Sequence, residues 1–224
     1  MNEKLTIEKL IIEAKEFCIS ESKIPIKSLY GITDGKAVGT LVEQKFQKHL
    51  SDKYEIEIGS SANGIDLPSP EILTDIKVTS FKQPQSSCPF KNAKQKIYGL
   101  GYNLLVFVYD KKDNPKTKTA NLEFVSCSFI SKERTADYTT TYRIRQMIED
   151  KANMIDILAY LQDKNLPADE ITLQKLAEKI IEEPPLQGYL TISNALQWRL
   201  QYQRVVMLNE NIDGIHKIID KVKK

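Results

Sequence analysis

Residues Asn103 to Tyr109 read Asn-Leu-Leu-Val-Phe-Val-Tyr, a continuous apolar run that predicts a central strand buried on both faces. Such a strand needs packing layers above and below it, which restricts the chain to a layered α/β arrangement. The flanking patterns supply those layers. Asp34 is placed to cap a helix in which Val38, Leu41, Val42, Phe46, His49 and Leu50 recur at helical spacing, ending near Asp52. Tyr54, Ile56 and Ile58 alternate with Glu55 and Glu57, giving a strand. A further strand starts at Ile72, a short helix covers 92–98, and a strand at 121–130 follows a turn from Lys111 to Lys118. The expected fold is α/β, with a mixed β-sheet flanked by helices.

From Ile72 onward, Ile72, Thr74, Ile76 and Val78 alternate with Leu73, Asp75, Lys77 and Thr79. Side chains two apart on a strand point the same way, about 6 to 7 Å apart. Asp75 and Lys77 therefore present a carboxylate and an ammonium to one spot. Asp66 lies nine residues before Asp75, across the Pro68-Ser69-Pro70 break, so a hairpin returns it to Asp75. Glu43 sits at the edge of the preceding helix's apolar stripe, able to look across the sheet margin toward both acids.

An acid-x-Lys triplet alone is weak, since Glu13/Lys15, Glu21/Lys23, Asp34/Lys36, Asp110/Lys112 and Glu149/Lys151 also occur. Three of these lie in or beside helical patterns, where residues two apart diverge by about 200°. Asp34/Lys36 sits in a turn, and Asp110/Lys112 has no upstream acid. The bland alternative for Asp75/Lys77 is an ordinary surface ion pair. Against it, residues 76–109 contain no Asp or Glu but hold Lys77, Lys82, Lys91, Lys94 and Lys96. That is a local positive field beside an acidic site, suited to a polyanion.

At this point the residues resemble a family. A helix bearing Glu43, a strand, Asp66, a nine-residue step and Asp75-Ile76-Lys77 resemble the PD-(D/E)xK nuclease superfamily, most closely a type II restriction endonuclease, over residues 34 to about 130. Asp66 follows Ile65 rather than a proline, which departs from the usual motif. The resemblance implies a restriction-endonuclease-like core. It makes Asp66 and Asp75, with the Ile76 carbonyl, ligands of Mg²⁺, Lys77 the residue that orients the attacking water, and Glu43 the helix acid. Phosphodiester hydrolysis asks for the same groups on its own account, because a hard cation held by oxygen ligands offsets charge on the phosphate and leaving oxygens. Double-stranded DNA is the implied substrate, a homodimer the implied assembly, and a cognate DNA methyltransferase the implied functional partner.

Composition agrees with a cytoplasmic enzyme. The 224 residues are 41% hydrophobic, enough for a real core, and net charge is only +2. Cys18, Cys88 and Cys127 are widely spaced, with neither a disulfide framework nor zinc spacing. No leader or membrane span is evident. His49 falls on an apolar helix side and reads as a packed residue rather than a ligand. Gly31 to Ala37 hints at a phosphate loop but is one residue short and has Ala where Ser or Thr is needed.

The loop Ser80 to Phe90 is polar and proline-punctuated, and Lys82, Gln83, Gln85, Ser86 and Ser87, with Lys91 and Lys94, are candidate DNA contacts; an ordinary solvated loop is the alternative. Thr141 to Asp163 reads as one long helix. A boundary at Asn165-Leu166-Pro167 divides a nuclease domain, 1–165, from a C-terminal helical subdomain, 166–224. There Thr172 to Ile180 is similar to the first helix of winged helix-turn-helix modules. A second helix from about Ser193 would put Asn194, Gln197, Gln201 and Arg204 on one face, groups that pair with base edges in the major groove. The plainer alternative is a helical subdomain packed on the core with its polar side in water. Two other function classes remain: a structure-specific repair or recombination nuclease, and a non-catalytic DNA-binding regulator.

Overall fold

A computed structural model describes residues 3–59, 64–88, 91–164, 166–193 and 198–222. In chain order they form β1 (Glu3–Lys4), α1 (Ile7–Glu21), α2 (Gly35–Ser51), β2 (Tyr54–Glu55), β3 (Thr74–Ser80), β4 (Gln85–Cys88), α3 (Lys94–Tyr98), β5 (Asn103–Asn114), β6 (Thr119–Ile130), α4 (Tyr138–Glu149), α5 (Met154–Asp163), α6 (Glu170–Glu182), β7 (Thr191–Ile192), β8 (Trp198–Gln201), α7 (Gln203–Val206) and β9 (Ile215–Asp220). The chain divides into two compact units: Met1–Ser86, Tyr102–Ile130 and Val206–Lys224 in one, Ser87–Gly101 and Ser131–Val205 in the other.

The first unit is built on a sheet of order β3–β5–β6–β9, in which β3 and β5 run parallel and the other pairs antiparallel. Leu104, Leu105, Val106, Phe107 and Val108 are all buried, so β5 is the two-sided strand its sequence predicts. The hairpin to β6 runs farther than expected, through Asn114 paired with Thr119. Its outer rungs are polar and give no apolar signal. Phe46 of α2 meets Phe17 of α1 and Phe107 of β5, each with ring centroids 5.0 Å apart and edge-on. These edge-to-face contacts pin both helices to one face of the sheet. Asp34 caps α2 by accepting from the Lys36 N–H at 2.9 Å.

The second unit packs α3 to α6 around Ile97, Ile144, Ile157, Leu161, Leu173, Leu176 and Ile180. The single helix expected from 141 to 163 is two. Lys151 adopts φ +62°, and Asn153 opens α5 with a full capping box to Asp156. A capping box satisfies the orphan N–H groups of a new helix, and here it outweighs continued periodicity.

The C-terminal part is not wholly helical. Residues 198–201 form a strand antiparallel to β7 (Ile192 opposite Leu200), and β9 joins the first unit's sheet beside β6. The apolar spacing after Ser193 satisfies period two as well as 3.6, and burial of Leu200 and Tyr202 with Gln201 exposed between them selects the strand. Asn194 and Gln197 lie outside the described residues.

Candidate active site

Asp66 is reached through a close crossing of two backbone segments. The Gly59 N–H donates to the Asp66 carbonyl at 2.9 Å. A Cβ on Gly59 would lie 1.9 Å from the Ile65 carbonyl oxygen, so only glycine permits the approach. Beyond Asp66, Leu67 and Thr74 exchange both backbone hydrogen bonds at 3.0 Å, and the Ser69 carbonyl accepts from Ile72 and Leu73 to close the proline turn. This hairpin returns Asp66 to β3.

Because β3 is an edge strand, its outer backbone groups are free for other partners. The Ile76 N–H donates to Asp66 Oδ2 at 2.8 Å. The N–H and C=O of one strand residue point to the same side, so the Ile76 carbonyl also faces this edge. Lys77 Nζ lies 2.7 Å from Asp75 Oδ2, and the two side chains are 22% and 5% exposed. From α2, Glu43 acts electrostatically on Lys77 and feels Asp66 in turn. One turn earlier, a Cβ at Gly39 would lie 3.9 Å from the Val78 carbonyl oxygen, so α2 runs directly alongside β3. Glu43, Asp66, Asp75 and Lys77 therefore converge.

Their electrostatics are unbalanced. Burial pushes the Asp75 carboxyl up to about 7, and its interaction with Asp66 adds to this against the opposing pull of Lys77. Burial likewise raises Glu43, with Asp66 adding and Lys77 opposing. Burial pulls the Lys77 ammonium down, but Asp75, Asp66 and Glu43 together outweigh it and hold it above its ordinary value. Three carboxyl groups share one ammonium. Their hard oxygens are the donor set that a cation such as Mg²⁺ prefers, so the residues present fit a divalent metal.

Thr79, on the same side of β3 as Asp75 and Lys77, anchors the turn that follows. Its hydroxyl accepts from the Gln85 N–H at 3.0 Å and lies 3.2 Å from the Gln83 carbonyl. Lys82 and Gln83 are exposed on this turn, and Gln85 and Ser86 half-buried. In the second unit Ser87, Lys91, Lys94 and Arg204 are exposed. Sequence reasoning missed Gly59 and Thr79, the first because its need for glycine arises from a contact with a distant segment.

A second group of possible ligands, Glu13, Glu16 and His49, also gathers among the described residues. Glu13 already accepts from Lys53 Nζ at 2.6 Å and Tyr54 OH at 2.8 Å, and pairs with His49 Nε2 at 2.6 Å. The Lys53 ammonium also reaches Glu16 at 3.2 Å, supplying the positive charge that an ion would bring. His49 is thus a partly buried structural residue, as its helix position implies.

Acids and a lysine gathered on a sheet edge are equipment for hydrolysing a phosphate ester, and comparison with known proteins gives the class as type II restriction enzymes. The family model described as "Type II restriction enzyme NspV" matches residues 4–217. A protein of Nostoc sp. (strain ATCC 29411 / PCC 7524) named "Type II restriction enzyme NspV" is 54% identical over 211 residues, covering 94% of this chain and 95% of its own length. The chain belongs to the NspV family of type II restriction enzymes. No solved structure matches it.

Proposed function

We propose that the protein cuts both strands of DNA at a specific short sequence, and that Asp66, Asp75, Lys77 and Glu43 form a Mg²⁺-dependent centre of the PD-(D/E)xK type. Family membership supports the activity. The observation that carries the site is the convergence of three carboxyl groups on the Lys77 ammonium at the sheet edge.

Asp66 and Asp75, with the Ile76 carbonyl, would hold the metal. A bound divalent cation supplies Lewis-acid polarisation of the scissile phosphate and offsets charge on the leaving oxygen. Lys77 holds the attacking water beside the phosphorus, where its ammonium also faces the developing negative charge. Glu43 keeps Lys77 charged and oriented. Water adds to phosphorus, the P–O3′ bond breaks, and the products are a 5′ phosphate and a 3′ hydroxyl.

Lys82, Gln83, Gln85, Ser86, Ser87, Lys91 and Lys94 contact DNA in this reading, the lysines meeting phosphates. Cutting both strands of a symmetric site calls for a two-fold homodimer with one centre per strand. A cognate methyltransferase would protect the host's own sites. Among the described residues no helix is long and apolar enough to cross a membrane.

Incubation with long DNA and Mg²⁺, followed by sequencing of the fragment ends, tests the proposal. A single consensus at the ends, with 5′ phosphates, is expected. Random ends, or no cutting with any divalent ion, overturns it.

A further inference from the structure

Arg204 Cζ lies 3.9 Å from the centroid of the Tyr138 ring. Tyr138 is itself stacked on Tyr142, with planes 4° apart and centroids separated by 6.0 Å, and Tyr189 meets it edge-on at 5.9 Å. The Arg204 guanidinium is exposed, and among the described residues it has no carboxylate within 4.0 Å. Residues 184–209 contain no Asp or Glu, and their only cations are Arg199 and Arg204. On β8, Arg199 and Gln201 are exposed while Leu200 between them is fully buried, so both point to the outer face.

Hydrogen bonds tie the start of α4, which carries Tyr138, to residues 188–192. Buried Asp137 caps α4 through the Thr140 N–H at 2.9 Å, and its other oxygen accepts from the Ile192 N–H of β7 at 2.8 Å. The Leu190 carbonyl accepts from the Tyr138 N–H at 2.7 Å. The Gly188 N–H donates to Thr141 Oγ1 at 2.9 Å, where a side chain on Gly188 would strike the Ala136 carbonyl. The guanidinium fork thus lies over an aromatic ring, and among the described residues no carboxylate forms an ion pair with it. Stacking restricts the side chain before binding, which lowers the entropy lost when the fork engages two acceptors at once.

We propose that the Arg204–Tyr138 stack, with Arg199 and Gln201 on the outer face of β8, is a base-reading surface that determines the DNA sequence cut, Arg204 gripping a guanine edge through two of its donors. The inference rests on the reading of the protein as a site-specific DNA endonuclease. In the major groove the N7 and O6 acceptors of guanine match a guanidinium fork.

Wild-type protein, Arg204→Lys and Arg204→Ala would be compared by fragment-end sequencing, by DNA binding at several salt concentrations, and by the cleavage rate of the consensus site against sites with single-base changes. Melting curves on each variant would confirm folding. Arg204→Lys keeps the charge but loses the fork. It is expected to lower discrimination at one base position about ten- to a hundredfold, the worth of a bidentate contact, with the salt dependence of binding nearly unchanged. Discrete wild-type ends with an unaltered consensus and rate for Arg204→Lys overturn the inference alone. So does a uniform loss of affinity across all sequences in Arg204→Ala with a salt slope lower by about one, the mark of a phosphate contact. Absence of discrete ends from the wild type removes this inference together with the reading it rests on.

Discussion

Lys77 Nζ sits 2.7 Å from Asp75 Oδ2 on the edge of the sheet, and the carboxyl it touches still ionises only at about 7. Burial therefore outweighs an ion pair at hydrogen-bonding distance. In the proposed centre a divalent cation would favour the ionised carboxylate that burial disfavours.

Substituting Asp75→Ala or Lys77→Ala is expected to reduce cleavage of plasmid DNA at least a hundredfold, while DNA binding at low salt persists. Asp75→Asn removes a buried charge, so its melting temperature at pH 8 without metal should exceed that of the wild type. A variant that still cuts at the wild-type rate, or an Asp75→Asn protein that melts earlier, contradicts the assignment.

The Asp75 carboxyl also sets a pH dependence. Its folded-state value is raised from an ordinary 3.8 to about 7, so its contribution to the metal-free protein's stability is full below about pH 4. That contribution falls as pH rises toward 7 and is constant above. Metal binding needs the ionised form. Mg²⁺ affinity should rise with pH, by up to about tenfold per unit, and level off above pH 7. Calorimetry at pH 6 in buffers of different ionisation heat should find close to one proton released per metal bound.

Gly59→Ala places a methyl group where the Ile65 carbonyl oxygen lies, 1.9 Å from the ideal Cβ position. The two segments must separate, and Asp66 moves with them. Cleavage should fall at least tenfold while far-ultraviolet circular dichroism stays unchanged. A fully active Gly59→Ala protein would show that Asp66 is not held through this crossing.

Phe46→Ala removes a fully buried ring that touches Phe17 and Phe107. The cost is expected to be about 3 to 5 kcal/mol, measured by denaturant unfolding. Glu13→Ala deletes the acceptor shared by Lys53, Tyr54 and His49 and should cost about 1 to 3 kcal/mol. Both helices carry their share of the scaffold behind Glu43, so activity should decline as these variants approach their melting temperatures and recover on cooling.

Local chemistry in the sequence determined much of this protein. The apolar run at 103–109 dictated a doubly covered strand, the alternation from Ile72 placed Asp75 and Lys77 on one side, Asp34 marked the start of α2, and the Pro68–Pro70 break returned Asp66 to Asp75. Each of these follows from forces acting within a few residues. Tertiary structure decided what depends on distant partners: the requirement for glycine at position 59, the buried Asp75 carboxyl, the joining of β9 to β6, and the strand at 198–201 where helical spacing fitted equally well. An apolar pattern that satisfies two periodicities is resolved only by which face finds a core, and the ionisation of a carboxyl only by the charges and solvent that folding gathers around it.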